Sequence, residues 1–234
     1  LEAKKPDQIL TAHGGMIMDK EKAKQVQAAV CEAAKKLASS NLVVGTWGNI
    51  SARLDDDYMV VTPSGMKYET LRPEDMVVVN MHDLTYEGGL KPSVETPMHA
   101  RILLERPEIG AVVHTHSTYA LIMAAAHKPI PPICDDQVQI LGGDVRVARY
   151  TLPGTGEMAE AVTEALKGRM GALIANHGAV ACGRNLDEAL VAATVLEKAA
   201  QVYIGTQAVG GGVELSPEDI AFMYDFFMNK YGQR

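Results

Sequence analysis

Ala111-Val-Val-His-Thr-His116-Ser-Thr-Tyr-Ala-Leu-Ile-Met-Ala-Ala-Ala126 is the stretch whose reading decides the fold. Ala111–Thr115 reads as a short apolar strand, and Ser117–Ala126 as a helix that starts at a serine. The rhythm returns downstream: a strand over Val145–Tyr150, then a helix over Glu157–Leu166. Ala172–Ala175 and Ala179–Cys182 read as short strands around Asn176-His-Gly178. A long helix is expected from Asn185 to about Tyr203, with Asp187 and Glu188 in its first turn. After Gly210-Gly-Gly212, Ser216-Pro-Glu-Asp219 supplies cap, proline and acids for a last helix.

Working towards the N-terminus, Thr96-Pro97 opens a helix through Glu105 that Pro107 stops. Met76–Met81 and Tyr58–Thr62 read as strands, with a tight turn at Pro63-Ser-Gly65. Gly45-Thr-Trp-Gly-Asn-Ile-Ser51 reads as a glycine-bearing turn. Asp19 is expected to cap a helix to Ser40 whose apolar face carries Ala23, Val26, Val30, Ala33, Ala34 and Leu37. Short strands mixed with helices predict an α/β fold: one layered domain with helices covering both faces of its sheet.

The composition is that of a globular protein, with 47% hydrophobic and 22% charged residues in 234. Acids outnumber bases 29 to 22, so the chain lacks the basic face of a nucleic-acid binder. Apolar runs such as Gly171–Ala175 and Met76–Val79 are too short for a membrane-crossing helix. Cys31, Cys134 and Cys182 form neither a disulfide framework nor a CxxC pair, which suits a reducing compartment. With no charged-then-apolar signal segment recognised, a cytoplasmic location is expected. Residues 1–15 are read as a tag or leader, and 16–234 as the single domain.

Two imidazoles two residues apart on a strand share a face, so His114 and His116 are able to reach one metal ion. The plainer reading is two histidines hydrogen-bonded to a loop. His177, in Asn176-His-Gly178, adds a third imidazole where a glycine permits an unusual turn; its other reading is a satisfied histidine at the core's edge. Three histidines with a carboxylate or water make a catalytic-type zinc shell. Glu95, in Lys91-Pro-Ser-Val-Glu-Thr-Pro97, is the candidate carboxylate, and it reads equally as an acid complementing a helix N-terminus. The two glycine turns and Ser93-Val94 offer backbone N–H groups and hydroxyls able to hold a phosphate without Arg or Lys, although each also reads as a plain turn.

In order, Gly45-Thr-x-Gly-Asn-Ile-Ser51, Thr62-Pro-Ser-Gly65, Pro92-Ser-x-Glu95, Val112-Val-His-x-His116 and His177-Gly178 resemble the motifs of the class II aldolase/adducin family, from about residue 22 to 205. The resemblance implies a central, mainly antiparallel sheet and a homotetramer with active sites between subunits. It implies His114, His116 and His177 as ligands of zinc, with manganese or cobalt as alternatives, and Glu95 as both ligand and general base. Thr46, Asn49, Ser64, Gly65, Ser93 and Val94 would form the phosphate pocket for a sugar phosphate, Val94 through its backbone. The family's 4-epimerases carry Asp where this chain has Glu95, so the implied reaction is aldol cleavage of a ketose phosphate to dihydroxyacetone phosphate and an aldehyde. Epimerisation, decarboxylation or dehydration on the same metal is the alternative, followed by a non-catalytic interaction module as in adducin. A family aldolase places a proton-donating Tyr shortly after an interface Ile-Pro; after Ile130-Pro131 this chain offers Asp135 and Asp136 instead. Asp135 is expected to take that role, a solvated acidic pair being the other reading. Tyr224, Phe226, Phe227 and Tyr231 are expected to form the core face of the last helix, with capping of a neighbouring site as the alternative.

Overall fold

The computed structural model describes residues 19–232; the segment 1–15 read as a tag or leader lies outside the described residues. Helix α1 (Lys20–Ser39) begins where the Asp19 carboxylate accepts the backbone N–H groups of Glu21 and Lys22, two donors that a helix start leaves unpaired. There follow β1 (Asn49–Arg53), β2 (Tyr58–Val61), β3 (Val77–Asn80), α2 (Thr96–Glu105), β4 (Ala111–Thr115), α3 (Thr118–Ala125) and α4 (Asp135–Leu141). The chain continues through β5 (Arg146–Ala148), α5 (Gly156–Ala165), β6 (Gly171–Ile174), β7 (Gly178–Gly183), α6 (Leu186–Thr206) and α7 (Pro217–Lys230).

The seven strands form one sheet in the order β3-β2-β1-β4-β7-β6-β5. Every neighbouring pair is antiparallel except β5 and β6, which run parallel because α5 carries the chain back between them. Alternate side chains go to opposite faces, and both faces are covered. Ile50, Ala52, Ala111, Val113 and Ala181 pack under α1, α3 and α6. Met59, Val61, Val112, Val180 and Cys182 pack under α2 and α5. Helix α6 buries Ala189, Ala192, Ala193, Ala199 and Ala200, small side chains that let its backbone lie close to the sheet. The layered α/β arrangement, mainly antiparallel, is the one the sequence implies.

Three local readings differ from the structure. The segment read as a glycine turn is a turn only over Val44–Gly48; from Asn49 it is strand β1, paired on both sides near the middle of the sheet. Its Asn and Ser sit inside because partners from α2 satisfy them, and nothing local announces that. The acidic pair at Asp135–Asp136 opens helix α4 rather than lying in a loop. Helix α7 fully buries no residue: Tyr224 and Phe227 are half-buried, with Tyr224 against the Gly142 end of α4, while Phe226 and Tyr231 are exposed, so only part of the expected aromatic face packs within the chain. All three cysteines are free, and among the described residues no helix is long and apolar enough to cross a membrane.

Candidate metal centre

The register of the sheet gathers the candidate donors. Asn49 lies directly opposite His114 across the β1–β4 pair, and His114 lies opposite Val180 across β4–β7. His116 follows just past the end of β4. His177 sits in the three-residue turn joining β6 to β7, where Ile174 pairs with Gly178. The left-handed residue of that turn is Asn176, at φ 56°, steadied by its side-chain oxygen 2.5 Å from His127 Nε2.

Gly178 therefore has a different role from the permissive turn expected of it. A Cβ there would lie 2.3 Å from the Thr115 carbonyl oxygen and 3.3 Å from the His114 ring, so the glycine gives room for β7 to approach β4. Gly178→Ala is expected to cost about 1–3 kcal/mol in urea unfolding, through overpacking. It should also weaken metal binding by spreading His114 from His177. Parental values for both would remove the close-approach argument.

The three imidazoles form a nearly regular three-bladed set. Ring centroids are 4.8 Å (His114–His116), 4.9 Å (His114–His177) and 5.0 Å (His116–His177) apart, with planes at 72–73° to one another. Their ligand-type nitrogens all lie within 4.8 Å of one another. His114 Nδ1 is 2.9 Å from the Ala179 carbonyl, which only accepts, so Nδ1 carries the proton and the Nε2 lone pair faces the cluster. That lone pair meets His116 Nε2 at 3.0 Å and Glu95 Oε2 at 3.2 Å. A concentration of acceptors around one point calls for a cation, and N/O donors at these separations suit a divalent ion with bonds of about 2.0–2.2 Å. Burial, with His114 and His177 nearby, pushes His116 down to about 4, so its ring is neutral at neutral pH. Trp47, largely exposed, stacks on His116 at 6.4 Å between centroids.

Glu95 precedes α2 at the N-cap position but makes no side-chain cap bond. It is buried instead, with Oε1 3.0 Å from His177 Nε2 and Oε2 accepting from Asn49 Nδ2 at 2.7 Å. Burial alone would raise its pKa; His114, with hydrogen bonds from His177 and Asn49, outweighs it and holds the carboxyl well below the usual range. The reading of Glu95 as a helix-end acid explains its position in sequence and leaves its inward direction unexplained.

Behind Glu95 stand two residues that sequence reasoning missed. His99 Nε2 is 2.5 Å from Asn49 Oδ1, and His99 Nδ1 is 2.7 Å from Ser51 Oγ. The available signal was the spacing, since Glu95 and His99 are four apart on a helix and Asn49 and Ser51 two apart on a strand.

The other expected site residues distribute unevenly. Ser93 touches Glu95 directly, its Oγ accepting the Glu95 N–H at 3.3 Å. The Ser64 and Ser93 loops are zipped together by Ser64 N–H to Lys91 O (2.9 Å) and Ser93 N–H to Thr62 O (3.1 Å), which brings Ser64, Gly65, Ser93 and Val94 to one rim. Thr46 is half-buried in the turn beside Trp47. Asp135 stands exposed on the first turn of α4, with no hydrogen bond or ion pair to the histidines, and Asp136 is paired with Lys198 at 2.6 Å.

Residues 28–204 match the family model described as Class II Aldolase and Adducin N-terminal domain. The chain is 38% identical over 186 residues to the 5-deoxy-D-ribulose 1-phosphate aldolase of Bacillus thuringiensis, covering 79% of this chain and 86% of that one. It is 34% identical over 217 residues to an L-ribulose-5-phosphate 4-epimerase of Salmonella paratyphi C, covering 87% and 93%. A solved structure of L-fuculose 1-phosphate aldolase superposes with a TM-score of 0.83 at 33% identity, covering 87% of this chain and 96% of that one. On these findings the chain is an aldolase-type enzyme and belongs to the class II aldolase and adducin family.

Proposed function

We propose that the chain reversibly cleaves a ketose 1-phosphate to dihydroxyacetone phosphate and an aldehyde, using a zinc ion held by His114, His116, His177 and Glu95. The carrying observation is the convergence of three imidazoles on a buried carboxylate that accepts the Asn49 N–H. Zinc, or manganese or cobalt on the same donors, supplies a concentrated positive charge that stabilises negative charge built up beside a ketone. Neutral imidazoles leave that charge undiminished. Glu95, held by the Asn49 N–H, is placed to carry the proton at the carbon next to the ketone. Ser64, Gly65, Ser93 and Val94 at the joined rim, with Thr46 and the second N–H of the Asn49 amide, would hold the phosphate and fix the donor.

Asp135, exposed and remote from the histidines of its own chain by contact, would serve as second proton-transfer residue at a neighbouring subunit's site in a homotetramer. The exposed aromatics of α7 support such an assembly. Free cysteines and an acidic balance support a cytoplasmic setting.

The test is proton exchange on dihydroxyacetone phosphate in deuterated water, followed by NMR with zinc-loaded protein. Stereospecific loss of one C3 hydrogen signal, abolished by chelation, is expected. No exchange with zinc bound would overturn this donor. Epimerisation is the second reading, favoured by the identity to the Salmonella relative. Mass analysis of the products separates the two, because cleavage divides the sugar phosphate and epimerisation keeps its mass.

A further inference from the structure

We propose that His99 is a positioning residue: through a buried hydrogen-bond chain it locks the Asn49 amide so that its N–H faces Glu95. This rests on the proposed role of Glu95. The four groups involved, Ser51, His99, Asn49 and Glu95, are all buried, so each polar atom must find its partner within the protein. An ionised carboxylate only accepts, so the atom of Asn49 that faces Glu95 at 2.7 Å is the amide nitrogen. The amide oxygen then faces His99 Nε2, which must carry a proton to donate across 2.5 Å. That leaves Nδ1 with its lone pair, and Ser51 O–H donates to it across 2.7 Å.

One direction therefore runs through the whole chain, from the Ser51 hydroxyl to the Glu95 carboxylate. Turning the amide over would set oxygen against carboxylate and N–H against N–H, two repulsive contacts in a dry environment. Without the imidazole N–H, the amide loses one of the two contacts that forbid this turn and keeps only the carboxylate to orient it. The architecture is an interlock: Asn49 and Ser51 project from the same face of β1, and Glu95 and His99 from the same face of α2's first turn. Burial keeps His99 neutral, pushing it down to about 3, so donor and acceptor keep their places through the ordinary pH range. A histidine there merely to fill the core would need no such ordered chain.

Long-range proton–nitrogen NMR of labelled, zinc-loaded protein is expected to show His99 as the Nε2–H tautomer from pH 5.5 to 8.5. The Nδ1–H tautomer would overturn the proposal, since the Asn49 amide would then face the other way. His99→Leu is expected to lower exchange kcat on dihydroxyacetone phosphate by about 10–100-fold with KM nearly unchanged, or zinc affinity by the same factor in chelator competition. His99→Gln, whose amide again offers an N–H to Asn49, should recover most of that loss. A folded His99→Leu protein with parental kcat and zinc affinity, or a Gln variant no better than Leu, would overturn the lock. Should His99→Leu not fold, Ser51→Ala removes only the hydroxyl; the Asn49 oxygen still requires an N–H, so His99 is expected to stay Nε2–H, and a switch to Nδ1–H would overturn the lock. Glu95→Gln separates the two levels. If it keeps exchange, the role given to Glu95 has failed; if it is inactive while His99→Leu matches the parent, only the lock has. If no protein exchanges dihydroxyacetone phosphate, zinc affinity in the Leu and Gln pair decides alone.

Discussion

Glu95→Gln is expected to retain metal while losing exchange on dihydroxyacetone phosphate by about two to four powers of ten. The substitution keeps size and shape, and three imidazoles remain to hold the ion. What it removes is an oxygen able to take and return a proton. A glutamine oxygen still accepts the Asn49 N–H, so the side chain keeps one of its tethers. Its amide nitrogen then falls on the side of His177, where the parent carboxylate meets Nε2 at 3.0 Å. The low proton affinity of the parent carboxylate adds a consequence. Glu95 is held down by His114, His177 and Asn49; in the proposed role it would become a useful base once substrate drew some of those partners away, a change no glutamine is able to imitate. Two outcomes carry information besides the expected one. Full exchange would eliminate Glu95 as the base. Loss of both metal and exchange would make its chief work the holding of the ion.

Much of this architecture is readable without coordinates, and the unreadable parts share a cause. Strands β4, β6 and β7 announce themselves through apolar runs, and the helices through caps, prolines and three-to-four spacing. The histidines stand out because imidazoles are few and two of them fall at strand spacing. Strand β1 hides because Asn49-Ile-Ser-Ala-Arg53, although it alternates, is short, follows directly on the glycine turn and carries a polar face that reads as solvent-facing. Its polar residues face inward only because α2, some 46–50 residues onward, brings Glu95 and His99 to meet them. A pairing across that separation leaves no trace in a local window. For the same reason His99 passes as one more helical residue. Asn176 and Gly178 illustrate a finer limit: that a turn sits there is legible, but which residue takes the left-handed conformation and which yields space depends on the strand lying alongside. The α7 aromatics carry helical spacing, yet spacing alone does not say whether their partner lies in the same chain.

Stripping the metal is expected to bring exchange to background and to lower the melting temperature, with both restored by adding zinc. The magnitude follows from linkage. An ion at a thousand times its dissociation constant stabilises the folded state by about 4 kcal/mol. In a domain of this size each kcal/mol moves Tm by about 2–4 °C, so chelation should lower it by about 8–16 °C. His177→Ala should behave like the chelated protein even with zinc present, because His114 and His116 alone leave two imidazole donors. Metal affinity should also carry a pH signature. A free imidazole takes a proton near pH 6.5 and then no longer binds metal. Burial holds His116 at about 4 and lowers His114 as well, so their lone pairs stay available as the pH falls through 6.5. The shares of zinc affinity owed to His114 and His116, measured by chelator competition against His114→Ala and His116→Ala, should therefore change little between pH 8 and about 5.5, then fall as the pH approaches the depressed values. Shares that dropped steadily below pH 7 would mean that these two rings titrate as exposed imidazoles, and the burial that builds the centre would not survive in solution. Full exchange in chelated protein would be the graver result, for it would separate the chemistry from the three imidazoles altogether.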